Sequence, residues 1–278
     1  MSSNLEWYFS KMGARVKVLD GTLPQRNRRW GTLDEAPKVS FNIGQDKEGE
    51  YFEIRTDSGV KHDLVVLHAE PKERHLLLLS RQIGRRGKAI SKQKFLCGHD
   101  ERHWFVAAIP ERAPVSTVAD AKMALKPLEV REREGVLGVS WRDSFRRKNA
   151  AFVRQGEWFF VPVVGLKADP MLIHKNERLS RGNGGKAHWA DECYRLGGES
   201  VFVSTKYPFG ISSEEFRALP EKERSMGGFR MMRRDAAAYV RGEVRHPDHA
   251  TVVLRDWHRV LMNTENQSLA MRFLTFLD

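Results

Sequence analysis

Cysteine is scarce in this chain, and long apolar runs are missing. Only Cys97 and Cys193 occur in 278 residues, which argues against a disulfide framework and favours a reducing compartment. The longest apolar stretches, such as HDLVVLHAE and HLLLLSRQI, are far shorter than the roughly 20 residues that a membrane-spanning helix needs. The start of the chain lacks the basic, apolar and small-residue pattern of a signal peptide. We therefore expect a cytoplasmic protein without a membrane span.

Complete motifs for nucleotide binding, zinc proteolysis or nucleophilic catalysis are also absent. The loop LSRGNGGKAH has neither the Walker spacing with its paired Lys-Ser/Thr nor the GxGxxG of dinucleotide-binding folds. The segment HDERH is not the metalloprotease HExxH, because Asp100 follows the first histidine and the flanking segments are typical of strands. Function must therefore be inferred from charge and from partial clusters of side chains.

The chain is strongly basic, with a formal net charge of +11. Residues 1–150 carry 28 Lys and Arg against 20 Asp and Glu, whereas residues 151–278 carry 19 against 16. Such a surplus attracts polyanions by neutralising phosphates and releasing counterions. An arginine-rich composition that reflects genomic base composition is the alternative explanation. The distribution favours a nucleic-acid contact in the first half of the chain.

Alternating apolar residues between turn-rich segments predict a β-rich α+β protein, built of two antiparallel-sheet units with a few short helices. The first unit, residues 1–150, is a basic α+β domain with a helix, a meander of about six strands and a closing helix. The second, residues 151–278, is a β-rich domain that carries a histidine cluster. Within these units GHDER is predicted at an exposed hairpin tip, WADECYRLGG as a helical turn, and Ser212 with Glu215 as a capping box.

Two basic runs are the strongest electrostatic features. RQIGRRGKAISKQK contains no acidic residue, and WRDSFRRKNAAFVR interleaves cations with aromatic side chains that could stack on bases. A solvated charged loop is the alternative. The residues predicted to contact nucleic acid are Arg81, Arg85, Arg86, Lys88, Lys92 and Lys94 in the first run and Arg142, Arg146, Arg147 and Lys148 in the second.

The glycine-rich loop RGNGGKAH has a separate prediction. Its glycines permit a turn with positive φ, and Arg181 and Lys186 are the candidates for binding an anion there.

Histidines near the C-terminus form the candidate metal site. In HPDH, Pro247 and Asp248 supply turn chemistry, so His246 and His249 are expected at the two ends of a tight connection between strands. With His188 as third ligand they could bind a divalent transition metal such as zinc. His258 is expected to alternate on a strand and to play a structural role. The alternative for all of them is surface or hydrogen-bonded structural histidines.

A second cluster, CGHDERHW, offers Cys97, His99 and His103, with Asp100 or Glu101 to complete a loop-tip metal site. The alternative is a polar hairpin turn in which Cys97 is a small buried residue.

Three pieces of the second half, RQGEWFFVPV, SRGNGGKAH and VRGEVRHPDHATVVL, occur in this order. Together they resemble a small β-rich domain of bacterial and phage proteins that have no assigned function. In that domain an RQG-type start is followed by a glycine-containing segment that ends in His and later by a His-x-x-His pair. The resemblance covers roughly residues 153–263, and it implies a β-rich fold but no mechanism.

These signals support three hypotheses of function. The leading one is a nucleic-acid-binding protein that prefers RNA or single strands and acts through its basic N-terminal domain. The alternatives are a metal-dependent hydrolase or nuclease that uses His188, His246 and His249, and a non-catalytic adaptor with a protein partner. Metal content separates the second from the others, and salt-dependent binding to generic RNA separates the first from the third.

Overall fold

A computed structural model describes residues 2–21, 39–57, 59, 61–84, 87–180 and 186–267. The fold is rich in β-strands, and its helices are few and short. No helix in the described ranges is long and apolar enough to cross a membrane. The α-helices are α1 (Ser2–Lys11), α2 (Val118–Leu125), α3 (Leu128–Val136), α4 (Trp141–Ser144), α5 (Ser213–Ala218) and α6 (Glu221–Met226). The strands are β1 (Val16–Asp20), β2 (Val39–Asp46), β3 (Gly49–Thr56), β4 (Lys61–Glu70), β5 (His75–Ile83), β6 (Ala89–Asp100), β7 (His103–Ile109), β8 (Val153–Gln155), β9 (Trp158–Pro162), β10 (Ile173–Leu179), β11 (His188–Leu196), β12 (Glu199–Val203), β13 (Ile211–Ser212), β14 (Arg230–Arg234), β15 (Ala237–Arg245) and β16 (Val252–Met262).

The first half of the chain forms two sheets, of order β1-β3-β2 and β4-β5-β6-β7. The hairpins β2–β3, β4–β5 and β6–β7 are antiparallel, as the turn residues between them predict. The meander is incomplete, however, because β1 pairs with β3 in parallel. Such a pair needs a crossover connection rather than a tight turn, and alternation within a strand does not report the direction of its neighbour.

The four-stranded sheet is buried on both faces. Leu76 and Leu78 pack with helix α1 and the first sheet, whereas Leu77 packs on the other face with Val118 and Ala121 of α2. Successive side chains of a strand point to opposite faces. The uninterrupted apolar run in HLLLLS therefore reflects a strand covered by a core on each side.

The second half contains a six-stranded sheet of order β10-β11-β15-β16-β9-β8. Its core includes Phe160, Cys193, Val240 and Leu254. The segment WADECYRLGG lies mainly in β11, so the predicted helical turn is wrong. The register shifts between Ala190 and Glu192 where β11 pairs with β15. This irregularity interrupts the period-two burial pattern by which the strand could have been recognised.

Between β11 and β15 the chain makes an excursion into a separate three-stranded sheet of order β13-β12-β14, accompanied by α5 and α6. Helix α5 begins with the predicted capping box. The Ser212 hydroxyl accepts a hydrogen bond from the Glu215 backbone N–H, and the Glu215 carboxylate accepts one from the Ser212 N–H. Both otherwise unpaired backbone donors are thereby satisfied.

None of the four described sheets combines strands from before and after residue 150. The two halves nevertheless contact each other, since the Thr264 hydroxyl donates to the Ala124 carbonyl at 2.6 Å and Arg259 pairs with Glu129 at 2.8 Å. The division into two domains at residue 150 stays a prediction.

Candidate metal centre

Three histidines from two distant segments lie together at one end of the six-stranded sheet. His188 is the first residue of β11, and His246 and His249 lie in the connection that follows β15. Each offers a ring nitrogen, and these three atoms lie within 4.8 Å of one another. The predicted group is therefore brought to one place, although no metal ion itself is shown.

Strand pairing explains this convergence. Trp189 of β11 is paired with Arg245 of β15. The residue before Trp189 and the residue after Arg245 therefore lie side by side at this end of the sheet. His246 and His188 occupy these two positions, and their rings stack with centroids 4.2 Å apart. The short HPDH turn then returns His249 to within 4.7 Å of the His246 ring.

The local environment keeps the imidazoles of His246 and His249 in their neutral form. His188 and His246 are buried, and the His249 side chain is only 11% exposed. Desolvation, helped by the neighbouring His249, lowers the pKa of His246 to about 4. Desolvation likewise lowers the pKa of His249. A neutral imidazole carries the lone pair that a metal ion requires, so the protonation state of His246 and His249 suits a metal at neutral pH.

The orientation of two rings directs one nitrogen toward the cluster and the other toward the protein. Nδ1 of His249 lies 3.8 Å from the Glu101 carboxylate, while its Nε2 faces Gly156. Nδ1 of His246 lies 3.2 Å from the Asp248 backbone nitrogen. Nε2 of His246 is buried and has no hydrogen bond within the described residues. Nδ1 of His246 accepts from the Asp248 N–H, which places the proton of the neutral ring on Nε2, whereas a metal-binding histidine donates from the nitrogen opposite the metal. Metal binding through Nε2 would therefore require the other tautomer of His246, and Nδ1 of His249 lies beyond hydrogen-bond distance of Glu101.

Gln155 and Gly156, at the end of β8, shape the histidine turn. The buried Gln155 amide donates to the carbonyls of Val244 at 3.1 Å and Ala250 at 2.7 Å, which fixes both ends of the turn. Gly156 has φ +56°, and a Cβ there would lie 2.8 Å from Nε2 of His249 and 3.5 Å from Nε2 of His188. Gln155 and Gly156 of the RQG segment thus pack directly against the histidine cluster.

We expect Gly156→Ala to lower metal affinity by at least tenfold, because the methyl group would occupy the space between two ligand nitrogens and the positive φ disfavours any other residue. Titration of metal-free protein with zinc would measure this change. Gly135→Ala is the matched control, since Gly135 lies in helix α3 and a Cβ there meets nothing within 4 Å. Equal zinc affinity in the two variants would contradict the role assigned to Gly156.

The β6–β7 hairpin of the first half reaches this site. Its turn contains Glu101, whose carboxylate accepts a hydrogen bond from the Ala250 backbone N–H at 2.6 Å. Arg147 pairs with both Asp100 and Glu101. GHDER therefore does form a hairpin tip, as predicted, but Asp100 and Glu101 are mostly covered rather than exposed.

A cavity of about 340 Å³ lies beside the histidines and between the two halves of the chain. His249 and Asp248 form part of its wall, and the guanidinium groups of Arg146, Arg147 and Arg154 are among its basic lining. Its volume is in the range of small-molecule sites. A substrate group placed there would contact these cations and His249, the member of the histidine cluster that lines the cavity.

The predicted nucleic-acid-binding residues occupy two separate places. Arg147 pairs with Asp100 at one end of β6, and the β5–β6 turn lies at the other end, next to Ala89. These ends are eleven residues apart, which is roughly 35 Å at the usual strand rise. Near the β5–β6 turn, Lys88 and Lys92 are exposed, whereas Arg81 pairs with Asp63 and Lys94 donates to the Val115 carbonyl. Near the cavity, the exposed members are Arg142, Arg146 and Lys148. Arg85 and Arg86 lie outside the described residues.

Lys186, predicted to bind an anion, is paired with an acidic side chain of the protein instead. Lys186 Nζ lies 2.8 and 2.7 Å from the two carboxylate oxygens of Asp248, so this lysine links the glycine-rich loop to the histidine turn. Arg181, its predicted partner, lies outside the described residues.

The other histidine candidates do not join a metal-sized group in the described part of the chain. Cys97 is buried in the core of the first half, and burial raises its thiol pKa. His99 lies edge-on to Trp104 at 4.9 Å. His258 is buried on β16, with Nδ1 2.7 Å from the Asp256 carbonyl oxygen, as expected of a structural histidine.

Comparison with known proteins identifies no relative. No protein-family model, no curated protein and no solved structure matches this chain.

Proposed function

We propose that this protein is a metal-dependent hydrolase that cleaves phosphodiester bonds in nucleic acid, with His188, His246 and His249 binding a divalent transition metal such as zinc. The observation that supports this best is the convergence of three mostly buried imidazoles, with ligand atoms within 4.8 Å, beside a cavity that His249 lines together with basic side chains. The proposal keeps nucleic acid as partner and adds a reaction.

The donor set suits a catalytic rather than a structural zinc. Structural zinc sites are closed by four protein ligands, whereas catalytic sites use three and leave a position for water. The nearby carboxylates are already engaged, since Asp100 and Glu101 pair with Arg147 and Asp248 pairs with Lys186. Around one zinc at about 2.0–2.1 Å the three nitrogens would be about 3.4 Å apart. The three rings are stacked at interplanar angles of 23–28°, so they would have to turn as well as approach before their in-plane lone pairs could meet at one ion.

Each partner group has a role in this proposal. A bound zinc ion would activate a water molecule near neutral pH and polarise a phosphoryl oxygen. The Glu101 carboxylate lies 3.8 Å from Nδ1 of His249 and accepts from the Ala250 N–H, and the Gln155 amide holds the turn that carries both His246 and His249. Arg147 is itself fixed by two carboxylates, so it can present its remaining N–H groups to an anion without a change in conformation.

The cavity rim supports a nucleic-acid substrate. Arg146 is 63% exposed beside the cavity, and Trp141 next to it is also 63% exposed. Trp141 makes a T-shaped contact with Phe145 at 4.8 Å, and its large exposed surface could stack on a base. Unpaired bases are accessible to stacking, and the proposal therefore favours RNA or a single strand. We further propose an α+β protein of two units that acts in the cytoplasm, where its two buried free thiols stay reduced.

Metal analysis together with a cleavage assay tests the proposed function. Purified protein is expected to contain about one equivalent of zinc and to hydrolyse bis(p-nitrophenyl) phosphate and single-stranded RNA. Removal of the metal with a chelator should abolish both activities, and added zinc should restore them. Protein that binds no transition metal, or that binds it without cleaving either substrate, would contradict a hydrolase. Absence of RNA binding as well would favour a protein-interaction adaptor.

Binding of nucleic acid without cleavage is the second candidate, because Lys88 and Lys92 are exposed near the β5–β6 turn of a segment without acidic residues. Two triple variants compare the basic surfaces: Arg142→Gln/Arg146→Gln/Lys148→Gln near the cavity and Arg85→Gln/Arg86→Gln/Lys88→Gln at the turn. If the cavity surface binds substrate, the first variant should reduce the slope of log K against log salt by up to about two to three, in keeping with the lost phosphate contacts. Filter binding to a single-stranded RNA at several salt concentrations measures these slopes. A reduced slope in the second variant alone would instead assign binding to the turn.

A further inference from the structure

His103 is a cavity-lining histidine outside the proposed metal group, and it has carboxylates on two sides. It begins β7, directly after the turn that contacts the metal cluster. Nδ1 of His103 lies 2.6 Å from Oε1 of Glu50, and its Nε2 lies 3.8 Å from Oδ1 of Asp248. Asp248 stands between His246 and His249 in the chain, so the His103 ring is adjacent to the histidine turn.

Glu50, in β3, holds this ring in one orientation. Its second oxygen, Oε2, accepts a hydrogen bond from the Trp104 backbone N–H at 3.0 Å. The carboxylate is thus fixed by the residue next to His103 and accepts from Nδ1–H with its other oxygen. This arrangement leaves Nε2 on the side of the cavity and Asp248. A carboxylate that orients an imidazole and stabilises its protonated form is a recurrent feature of general acid–base catalysis.

Two acidic groups that line the cavity beside His103, Asp100 and Asp248, are held by cations, while Glu157 and Glu265 also contribute to its wall. Asp100 pairs with Arg147 and Arg154, and Asp248 pairs with Lys186. Carboxylates in such pairs remain ionised and accept rather than donate protons. His103, whose side chain is 43% exposed, therefore combines access to the cavity with a nitrogen that can carry a proton.

We propose that His103 is the general acid of the reaction and that Glu50 is its positioning residue; this inference rests on the proposed hydrolase function. A water oxygen forms a bond to phosphorus, and the bond from phosphorus to the leaving oxygen breaks with its electron pair on that oxygen. The proton on Nε2 of His103 passes to the leaving oxygen, which departs as an alcohol. The attacking water loses its own proton to solvent, and a second proton from solvent restores the imidazolium.

Two substrates with the same nucleoside and different leaving groups test this role. The p-nitrophenyl ester of thymidine 5′-phosphate releases a phenolate that is stable without a proton, whereas the dinucleotide thymidylyl-thymidine releases an alkoxide that needs one. We expect His103→Asn to lower kcat/KM on the dinucleotide by about 100-fold or more and on the aryl ester by less than about threefold. Asparagine can still donate an N–H to Glu50. We expect Glu50→Gln to show the same selectivity with a smaller loss.

His99→Asn is the matched control, because His99 also lines the cavity but contacts the Trp104 ring instead of a carboxylate. It should reduce the activity on both substrates equally or not at all. Equal loss on the two substrates in His103→Asn, or no loss, would overturn the general-acid role. Zinc content is measured in every variant. Bound zinc and cleavage of the aryl ester by the wild type test the proposed hydrolase function, independently of the role of His103. A wild-type protein without metal or cleavage would reject both proposals.

Discussion

The variant His246→Asn is expected to bind zinc at least about 100-fold more weakly than the wild type and to lose hydrolytic activity. Loss of a group that only supports a metal ligand typically lowers metal affinity about 10- to 100-fold. His246 is proposed as a ligand itself, so its loss is expected to cost at least the upper value. Asparagine preserves a polar group near the Asp248 backbone N–H, at the position of Nδ1, but it removes the buried Nε2. Zinc titration of metal-free protein and the cleavage assay measure the two effects.

His258→Asn provides the control for this experiment. His258 has the same 7% exposure as His246, which follows β15 directly, but it lies within β16 and is paired with Val240 and Pro162. Its replacement should cost little more than one hydrogen bond, about 1 kcal/mol of unfolding free energy, and should leave zinc affinity unchanged. Identical zinc binding in wild type and His246→Asn would rule out the metal centre.

Replacing Lys126 with methionine is expected to lower the free energy of unfolding by about 3–5 kcal/mol. Lys126 and Glu134 are both 5% exposed, and Nζ of Lys126 lies 2.8 Å from each Glu134 carboxylate oxygen. The same ammonium donates to the hydroxyl of Ser144 at 2.6 Å. Methionine would fill much of the space but leave a buried carboxylate without its counter-ion. Urea unfolding of the wild type and the variant measures the loss.

Two further variants distinguish the effect of an unpaired buried carboxylate from the effect of losing one positive charge. Lys122→Met, one turn earlier, removes a pair with Glu73, which is 59% exposed, and should change the unfolding free energy by less than about 1 kcal/mol. The double variant Lys126→Met/Glu134→Leu removes both buried charges and should recover much of the loss. A destabilisation below about 1 kcal/mol for Lys126→Met would show that this pair does not stabilise the fold.

The hairpins and the histidine turn could be predicted from the sequence because their signals are local. Alternation in the flanking strands, with Pro247 and Asp248 between them, indicates a tight turn that brings His246 and His249 close. The position of His188 could not be predicted locally, because its distance from the other two histidines depends on which strand pairs with β15. The sequence alone could offer His188 only as a candidate, and the register of β11 against β15 places it.

The groups around the histidines could not be found in this way. Glu101 accepts a hydrogen bond from the N–H of Ala250, which is 149 positions away in the sequence. Neither segment carries a pattern that predicts contact with the other. Glu50 and His103 are likewise 53 positions apart. Gln155 and Gly156 did carry a signal, because RQG belongs to the resemblance over residues 153–263. Their physical role, a clamp and an open space beneath the imidazoles, becomes visible only in three dimensions.

The excursion between β11 and β15 has a consequence for how this protein can diverge. It leaves the six-stranded sheet at Leu196 and returns at Ala237, which are paired with each other. His188, at the other end of β11, is eight residues and roughly 27 Å away at the usual strand rise. Because the two strands remain clamped together along that length, insertions, deletions or a wholly different module at the far end need not alter the spacing of the imidazoles. One end of this hairpin can therefore change in evolution while the end that carries His188 and His246 keeps its geometry.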